Sequence, residues 1–212
     1  QKYQKFTNDI DDAYTTAFRK TIAHVMNDRS LWEEKIFGDK MKKEDLQKVV
    51  PIRPVVASGD DICFITFGQI GIETARIFLQ YLQQQSIKIN EKYFFFEACA
   101  GVAMIKYKFP FWLAYELSEK LCANAKKRLK EDEKYWKKNG AVSGKKPFDT
   151  SLIDWQLVEG GDLSLDIPAF RSEYYENRDG SKLIQRPYYL QRKEDVHKHH
   201  ANYEITFLNA IK

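Results

Sequence analysis

The stretch that most constrains the fold is VVASGDDICFITF, at residues 55–67. Two runs rich in β-branched and aromatic residues flank Ser-Gly-Asp-Asp, and Gly and Asp favour tight turns between strands. The pattern predicts a β-hairpin with Asp60 and Asp61 at its tip. Two interpretations of these acids stay open: they belong to a simple turn, or they are held out to grip a divalent metal.

The second interpretation has a physical basis in the charges at the tip. Adjacent carboxylates repel each other unless a cation neutralises them. Mg²⁺ favours one or two carboxylates together with phosphate oxygens and water, and a pair of such ions can activate a 3′-hydroxyl and stabilise leaving pyrophosphate. Under this second interpretation, Asp60 and Asp61 would be catalytic residues and ligands of Mg²⁺ or Mn²⁺. Gly59 lets phosphates approach the backbone without a Cβ in the way.

Helical periodicity predicts three long helices, over residues 3–26, 69–85 and 110–139. In each, apolar residues recur every three or four positions, which marks one buried side. Asp9, Asp11 and Asp12 fall within the first helix and are expected to be solvated surface acids. A short helix is predicted in KKEDLQKV, within the polar segment 27–50.

Strands are predicted in the apolar segments between the helices. Residues 93–107 (YFFFEACAGVAMIKY) read as one buried central strand, in which Gly101 indicates close approach by another backbone or a ligand. SLIDWQLVEG (151–160) and RPYYL (186–190) read as two more extended segments. Pro54 cannot donate a ladder hydrogen bond, so the hairpin strand is expected to begin near Val55. The order of elements predicts an α+β fold, with helices packed on one mainly antiparallel sheet.

Composition excludes some classes of protein. No apolar run approaches the ~18 residues of a transmembrane helix, and QKYQKF at the N-terminus lacks the apolar core of a signal peptide. The formal net charge of +4 is compatible with a polyanionic ligand but does not establish one. The cysteines lack metal-ligand spacing and are expected to be small buried hydrophobes in a reducing, cytoplasmic compartment, at positions Cys63, Cys99 and Cys122.

Other side chains with chemical potential are weaker candidates. DVHKHHANY carries His197, His199 and His200, but no Cys or acid is spaced to close a metal site with them. On the third helix, Lys126 lies on the same side as Cys122 and can reach a triphosphate or simply extend along the helix margin. Five aromatic residues can stack bases, but their apolar settings favour core packing: Phe94, Phe95, Phe96, Trp112 and Trp155.

Three segments together resemble a known family. PIRPVVASGDDICFI, ACAGVAMIKYKFPFWLAYELSEKLCANAKK and IDWQLVEGG…RPYYL are similar to the second palm domain of the large, cyclic-oligoadenylate-producing subunit of type III CRISPR complexes. Stand-alone bacterial proteins carry the same domain, and diguanylate cyclases are more distantly similar. The resemblance covers roughly residues 50–190, and its most specific feature is the GGDD-like acidic hairpin followed by AGVA and a Pro-Phe helix start.

The resemblance implies a fold and an activity. The fold would be a palm of the ferredoxin-like, nucleotide-cyclase type, an antiparallel sheet with packed helices, over residues 1–192, followed by a C-terminal helix at 193–212. The activity would be 3′–5′ joining of nucleoside triphosphates, with ATP the expected substrate, in antiviral defence. Asp60 and Asp61 would then bind Mg²⁺, Ser58 and Gly59 would form the phosphate-facing turn, and Lys126 would contact the triphosphate.

The sequence departs from the family pattern in two places. Ser58 stands where the family usually has a glycine, which restricts the backbone at the turn. A palm also has a strand before its first helix that ends in another metal-binding acid, whereas here a helix begins near Tyr3. That strand is expected upstream of Gln1, or it is lacking and the metal site is incomplete.

Two functions from different classes therefore stay open. One is a nucleotidyltransferase that makes a cyclic or linear oligonucleotide signal, acting as a homodimer or in a larger CRISPR-like assembly. The other is a non-catalytic palm that serves as a structural or nucleotide-sensing module. An RNA-binding sheet of the RRM type is a third reading, but no segment resembles its aromatic strand motif.

Overall fold

A computed structural model describes residues 2–37, 42–139, 151–158, 164–181, 183–184 and 186–190. The predicted helix at 193–212, the histidines at 197–200 and the loop at 140–150 lie outside these residues. The described part is an α+β protein, as the sequence predicts. None of its helices combines the length and apolarity needed to cross a membrane.

The chain forms two compact units, residues 1–97 and residues 98–212. The first contains helices α1–α4 and two hairpins. Its helices are α1 (Lys2–Asn27), α2 (Glu33–Ile36), α3 (Lys43–Leu46) and α4 (Gly71–Gln83). Its strands are β1 (Ile52–Ser58), β2 (Asp61–Thr66), β3 (Ser86–Ile89) and β4 (Lys92–Phe95).

The core of the first unit forms between α1, α4 and the β1–β2 hairpin. The buried side of α1 carries residues four apart, as the periodicity predicts: Ala13, Ala17, Thr21 and Val25. Phe18 on α1 stacks on Phe64 of β2 with ring centroids 5.6 Å apart, and its edge meets Phe78 of α4. These rings fix the hairpin against the helices, and so fix the turn at its tip.

The described residues of the second unit form a mixed three-stranded sheet and two helices. The strands are β5 (Cys99–Met104), β6 (Leu152–Leu157) and β7 (Tyr188–Tyr189), and the helices are α5 (Phe111–Asn139) and α6 (Ile167–Tyr175). β6 lies in the middle, parallel to β5 and antiparallel to β7. The buried stripe of α5 includes Leu117, Leu121 and Ala125, as predicted.

Gly101 confirms the expectation of a close backbone approach. A Cβ at this position would lie 2.5 Å from the backbone nitrogen of Cys122 and would overlap the carbonyl oxygen of Ser118. Only a residue without a side chain therefore lets α5 pack this closely on β5.

Several finer expectations are corrected. Residues 93–107 do not form one buried strand: β4 pairs with β3 in an exposed hairpin, and β5 belongs to another sheet. The described strands form three small sheets in place of one. Continuous apolarity cannot show where one strand ends and the next begins, because both strands share the same composition.

Two local expectations are also corrected. β1 begins at Ile52 and not near Val55, because a bulge between Pro54 and Val56 accommodates the missing N–H. The three cysteines are half-buried and not fully buried hydrophobes, and the Cys122 thiol donates to the Cys99 carbonyl at 3.2 Å.

Candidate functional site

The β1–β2 hairpin holds the predicted site residues at its tip. Ser58 pairs with Asp61, so Gly59 and Asp60 are the two residues of the turn. Gly59 has φ +60° and no atom within 4 Å of where its Cβ would be. Glycine is therefore favoured here by the left-handed backbone of a type II′ turn and not by crowding. The space beside it is open to a ligand.

An acid from the first helix reaches this turn. The backbone N–H of Gly59 donates to Oδ1 of Asp11 at 2.9 Å, across 48 residues of sequence. Asp11 is half-buried, so it is not the freely solvated surface acid that the helical pattern predicts; Asp12 beside it is exposed. The contact places a third acidic residue at the turn that carries Asp60 and Asp61.

Ser58, Asp60 and Asp61 are exposed at the tip. Their side chains are therefore available to a ligand from solvent. Among the described residues, however, no three His, Cys, Asp or Glu side chains are grouped so as to hold a metal ion. A cation at this turn would need ligands besides these described side chains, and Mg²⁺ commonly takes them from phosphates and water.

Lys126 lies on α5 in the second unit and is exposed. Its amine is thus solvated along the margin of the helix, beyond the buried residues Leu121 and Ala125. Its contact with a triphosphate stays a prediction.

The aromatic residues expected in the core are mostly at the surface. Phe94 and Phe95 on β4 and Trp112 at the start of α5 are exposed, and Phe96 and Trp155 are half-buried. The β3–β4 hairpin forms a sheet of only two strands, which leaves its aromatic residues without a covering layer among the described residues of the first unit.

A polar cluster in the second unit is not predicted from the sequence. Asp154 on β6 is fully buried and receives a bidentate contact from Arg171 of α6, with Nη2–Oδ1 2.7 Å and Nη1–Oδ2 2.9 Å. Asn124 of α5 donates to the same carboxylate at 2.7 Å, and the Trp155 N–H donates to it at 2.9 Å. The carboxylate is fully hydrogen-bonded, as a buried charge requires.

The apolar alternation of β6 conceals this cluster. Ile153, Trp155 and Leu157 alternate along the strand, but Leu157 is exposed while Asp154 and Gln156 are buried. One feature of the sequence does indicate the cluster: an acid stands in the middle of an otherwise apolar strand. A buried acid needs a buried cation as its partner.

Arg186 extends the cluster toward the surface. Its guanidinium lies 5.3 Å from the Trp155 ring centroid and 5.9 Å from that of Tyr175, and Nη2 is 3.4 Å from Oε1 of Gln156. Burial, followed by the positive charge of Arg171, lowers the pKa of Arg186 below its ordinary value. The charges of Arg171 and of the buried Asp154 thus both act on Arg186.

Comparison of the chain with protein-family models and with curated proteins found no match.

Proposed function

We propose that the protein is a divalent-metal-dependent nucleotidyltransferase whose site is the tip of the β1–β2 hairpin. It would join nucleoside triphosphates, ATP first among them, by 3′–5′ transfer into a cyclic or linear oligonucleotide signal in antiviral defence. The palm arrangement belongs to the same proposal; the α+β composition and the hairpin followed by α4 are consistent with it.

The observation that carries the proposal is the contact between Asp11 and Gly59. It anchors the backbone of the turn from a separate helix, so the adjacent acids project from a fixed point. A mere surface turn does not need such a long-range anchor, because the type II′ geometry already suits a two-residue hairpin loop. Preorganised acids are what a site for a metal and a nucleotide requires.

The side chains at the tip suit this chemistry. Asp60 and Asp61 offer the hard oxygen donors that Mg²⁺ favours, and a bound cation would neutralise phosphate charge and lower the pKa of an attacking hydroxyl. Gly59 leaves space for phosphate oxygens beside the turn. The Ser58 hydroxyl is exposed beside them as a hydrogen-bond donor, and Lys126 is the proposed triphosphate contact.

One observation favours a second function. Among the described residues, no three metal-ligating side chains are grouped so as to hold an ion, so the turn forms without a preassembled metal site. This fits a non-catalytic palm that serves as a structural or nucleotide-sensing module within a CRISPR-like assembly.

Product formation separates the two functions. The full-length protein is incubated with the four nucleoside triphosphates and Mg²⁺ or Mn²⁺, and mass spectrometry follows pyrophosphate and oligonucleotide products. If the protein is a nucleotidyltransferase, products should disappear in Asp60→Asn/Asp61→Asn. They should persist in Asp179→Asn, a matched change at another exposed turn beside a glycine. Products that persist in the double variant would contradict the assignment of the site.

Self-association belongs to the same proposal. Joining two nucleotides requires two substrate sites, so we expect activity to rise more than linearly with protein concentration as dimers form. Analytical ultracentrifugation over the same concentration range measures the association. A monomer with constant specific activity at every concentration would contradict this expectation.

A further inference from the structure

The second unit contains a cavity of about 240 Å³ that the proposed nucleotidyl-transfer site does not use. It lies between α5, α6 and the segment that leads into β7. Four cationic side chains line it, Lys127, Arg128, Arg171 and Arg186, together with the acids Glu131 and Glu176. With the buried Asp154 behind Arg171, the described charges at the cavity leave one net positive charge.

The hydrogen bonds of the arginines, like the net positive charge, indicate that the cavity lacks an acceptor. Arg171 is 92% buried, since its exposed fraction is 8%, and both of its Nη groups are taken up by Asp154. Among the described residues, Nε of Arg171 and Nε of Arg186 are both buried without a hydrogen-bond partner. A buried guanidinium donor without an acceptor costs free energy, so the cluster is incomplete by itself.

The two acids that line the cavity do not accept hydrogen bonds from Nε of Arg171 or Nε of Arg186. Glu131 lies 3.9 Å from Nζ of Lys127, one turn away on α5, and Glu176 accepts a hydrogen bond from the Ser172 hydroxyl. Both are thus engaged with neighbours on their own helical segments. The excess positive charge of the two arginines stays within the cavity.

We propose that this cavity binds a phosphate-type oxyanion, either free phosphate or the phosphate group of a nucleotide. Guanidinium groups match the oxygen geometry of phosphate and bind it through charge-assisted hydrogen bonds. The Arg186 guanidinium lies near the rings of both Trp155 and Tyr175, which restrict its orientation and so lower the entropic cost of binding. The volume suits a phosphate group better than a whole nucleotide, because pockets for drug-sized ligands usually exceed ~300 Å³. This inference is independent of the proposed nucleotidyl transfer.

The test uses NMR on the full chain at constant low ionic strength. Inorganic phosphate, AMP and adenosine are titrated separately while the Nε–Hε signals of the arginines are followed. Phosphate and AMP are expected to shift the signals of Arg171 and Arg186 saturably, and adenosine is expected to leave them unchanged. Equal affinities for phosphate and AMP assign the anion to free phosphate, and tighter binding of AMP assigns it to a nucleotide.

Variants locate the binding. Arg186→Gln is expected to weaken phosphate binding by roughly tenfold or more, the loss typical of a charged hydrogen bond. Arg128→Gln at the helix surface should weaken it less without disturbing the buried ion pair. Lys130→Gln, an exposed cation on the same helix that does not line the cavity, is the matched control and should bind as the parent does. Asp60→Asn/Asp61→Asn should also bind phosphate unchanged, which separates this site from the hairpin.

Three results would overturn the inference. The first is the absence of saturable shifts at Arg171 and Arg186 with either phosphate or AMP. The second is equal loss of binding in Lys130→Gln and Arg186→Gln, which would indicate non-specific attraction to a basic surface. The third is binding of adenosine as tight as that of AMP, which would show that the phosphate is not recognised.

Discussion

At the scale of single residues, Asp11 matters most to the proposed site. Its carboxylate accepts the Gly59 N–H at 2.9 Å and is half-buried, so the hydrogen bond is partly shielded from water. Hydrogen bonds to charged groups contribute about 1.5–3 kcal/mol when shielded, and less as exposure increases. The turn that carries Asp60 and Asp61 therefore depends on a residue far away in sequence.

Replacing Asp11 should loosen the turn. Asp11→Ala is expected to lower the free energy of unfolding by about 1 kcal/mol and to speed hydrogen exchange of the Gly59 amide. Asp12→Ala, the exposed neighbour, is the matched control and should change neither quantity. Equal protection of the Gly59 amide in the two variants would show that the contact contributes nothing in solution.

Gly101 is a second residue whose role can be measured. Gly101→Ala would press a Cβ into the backbone of α5 near Ser118 and Cys122, so we expect a loss of about 1–3 kcal/mol in the free energy of unfolding, or more. Gly68→Ala is the matched control, because nothing lies within 4 Å of its Cβ position and its φ is not positive. Denaturant titration of both variants measures the difference. A Gly101→Ala variant as stable as Gly68→Ala would mean that β5 and α5 do not pack this closely.

At the scale of elements, the Asp154–Arg171 pair joins β6 to α6, and Asn124 brings α5 to the same carboxylate. Removing one partner of a buried ion pair leaves the other charged and unpaired, which costs about 3–5 kcal/mol. Breaking this pair is therefore expected to destabilise the protein far more than breaking an exposed ion pair on the same helices.

Asp154→Asn should accordingly destabilise the second unit by about 3–5 kcal/mol. Glu131→Gln breaks the exposed pair with Lys127 on α5 and should change the free energy of unfolding by less than about 1 kcal/mol. Thermal or denaturant unfolding of the two variants supplies the comparison. Similar losses in both would indicate that Asp154 is solvated and not buried against Arg171.

The elements that the sequence predicts well are those with a long, regular period. α1, α4 and α5 repeat apolar residues over many turns, so this periodicity alone is enough to locate them in the sequence. The split between β4 and β5 is not predictable in this way, because YFFFEACAGVAMIKY is apolar on both sides of the break. The buried acid of β6 and the reach of Asp11 to Gly59 depend on partners 17 and 48 residues away, which local periodicity does not detect.

At the scale of the whole molecule, the residues proposed to bind phosphates are distributed over both units. The first carries the acidic hairpin, and the second carries the arginine cluster and Lys126. The formal net charge of +4 is consistent with a protein that handles phosphates in both places. The hairpin is proposed to act through a divalent cation, whereas the arginine cavity needs none, so a chelator distinguishes them.

The most direct test of the central claim is equilibrium binding of ATP to the full-length protein, with Mg²⁺ and again with EDTA. We predict a metal-dependent component of binding that Asp60→Asn/Asp61→Asn weakens at least tenfold, since each charged contact is worth about 1.5–3 kcal/mol. Asp179→Asn should retain that component. Binding of ATP that neither EDTA nor the double variant changes would contradict the claim that the hairpin acids bind a metal and a nucleotide.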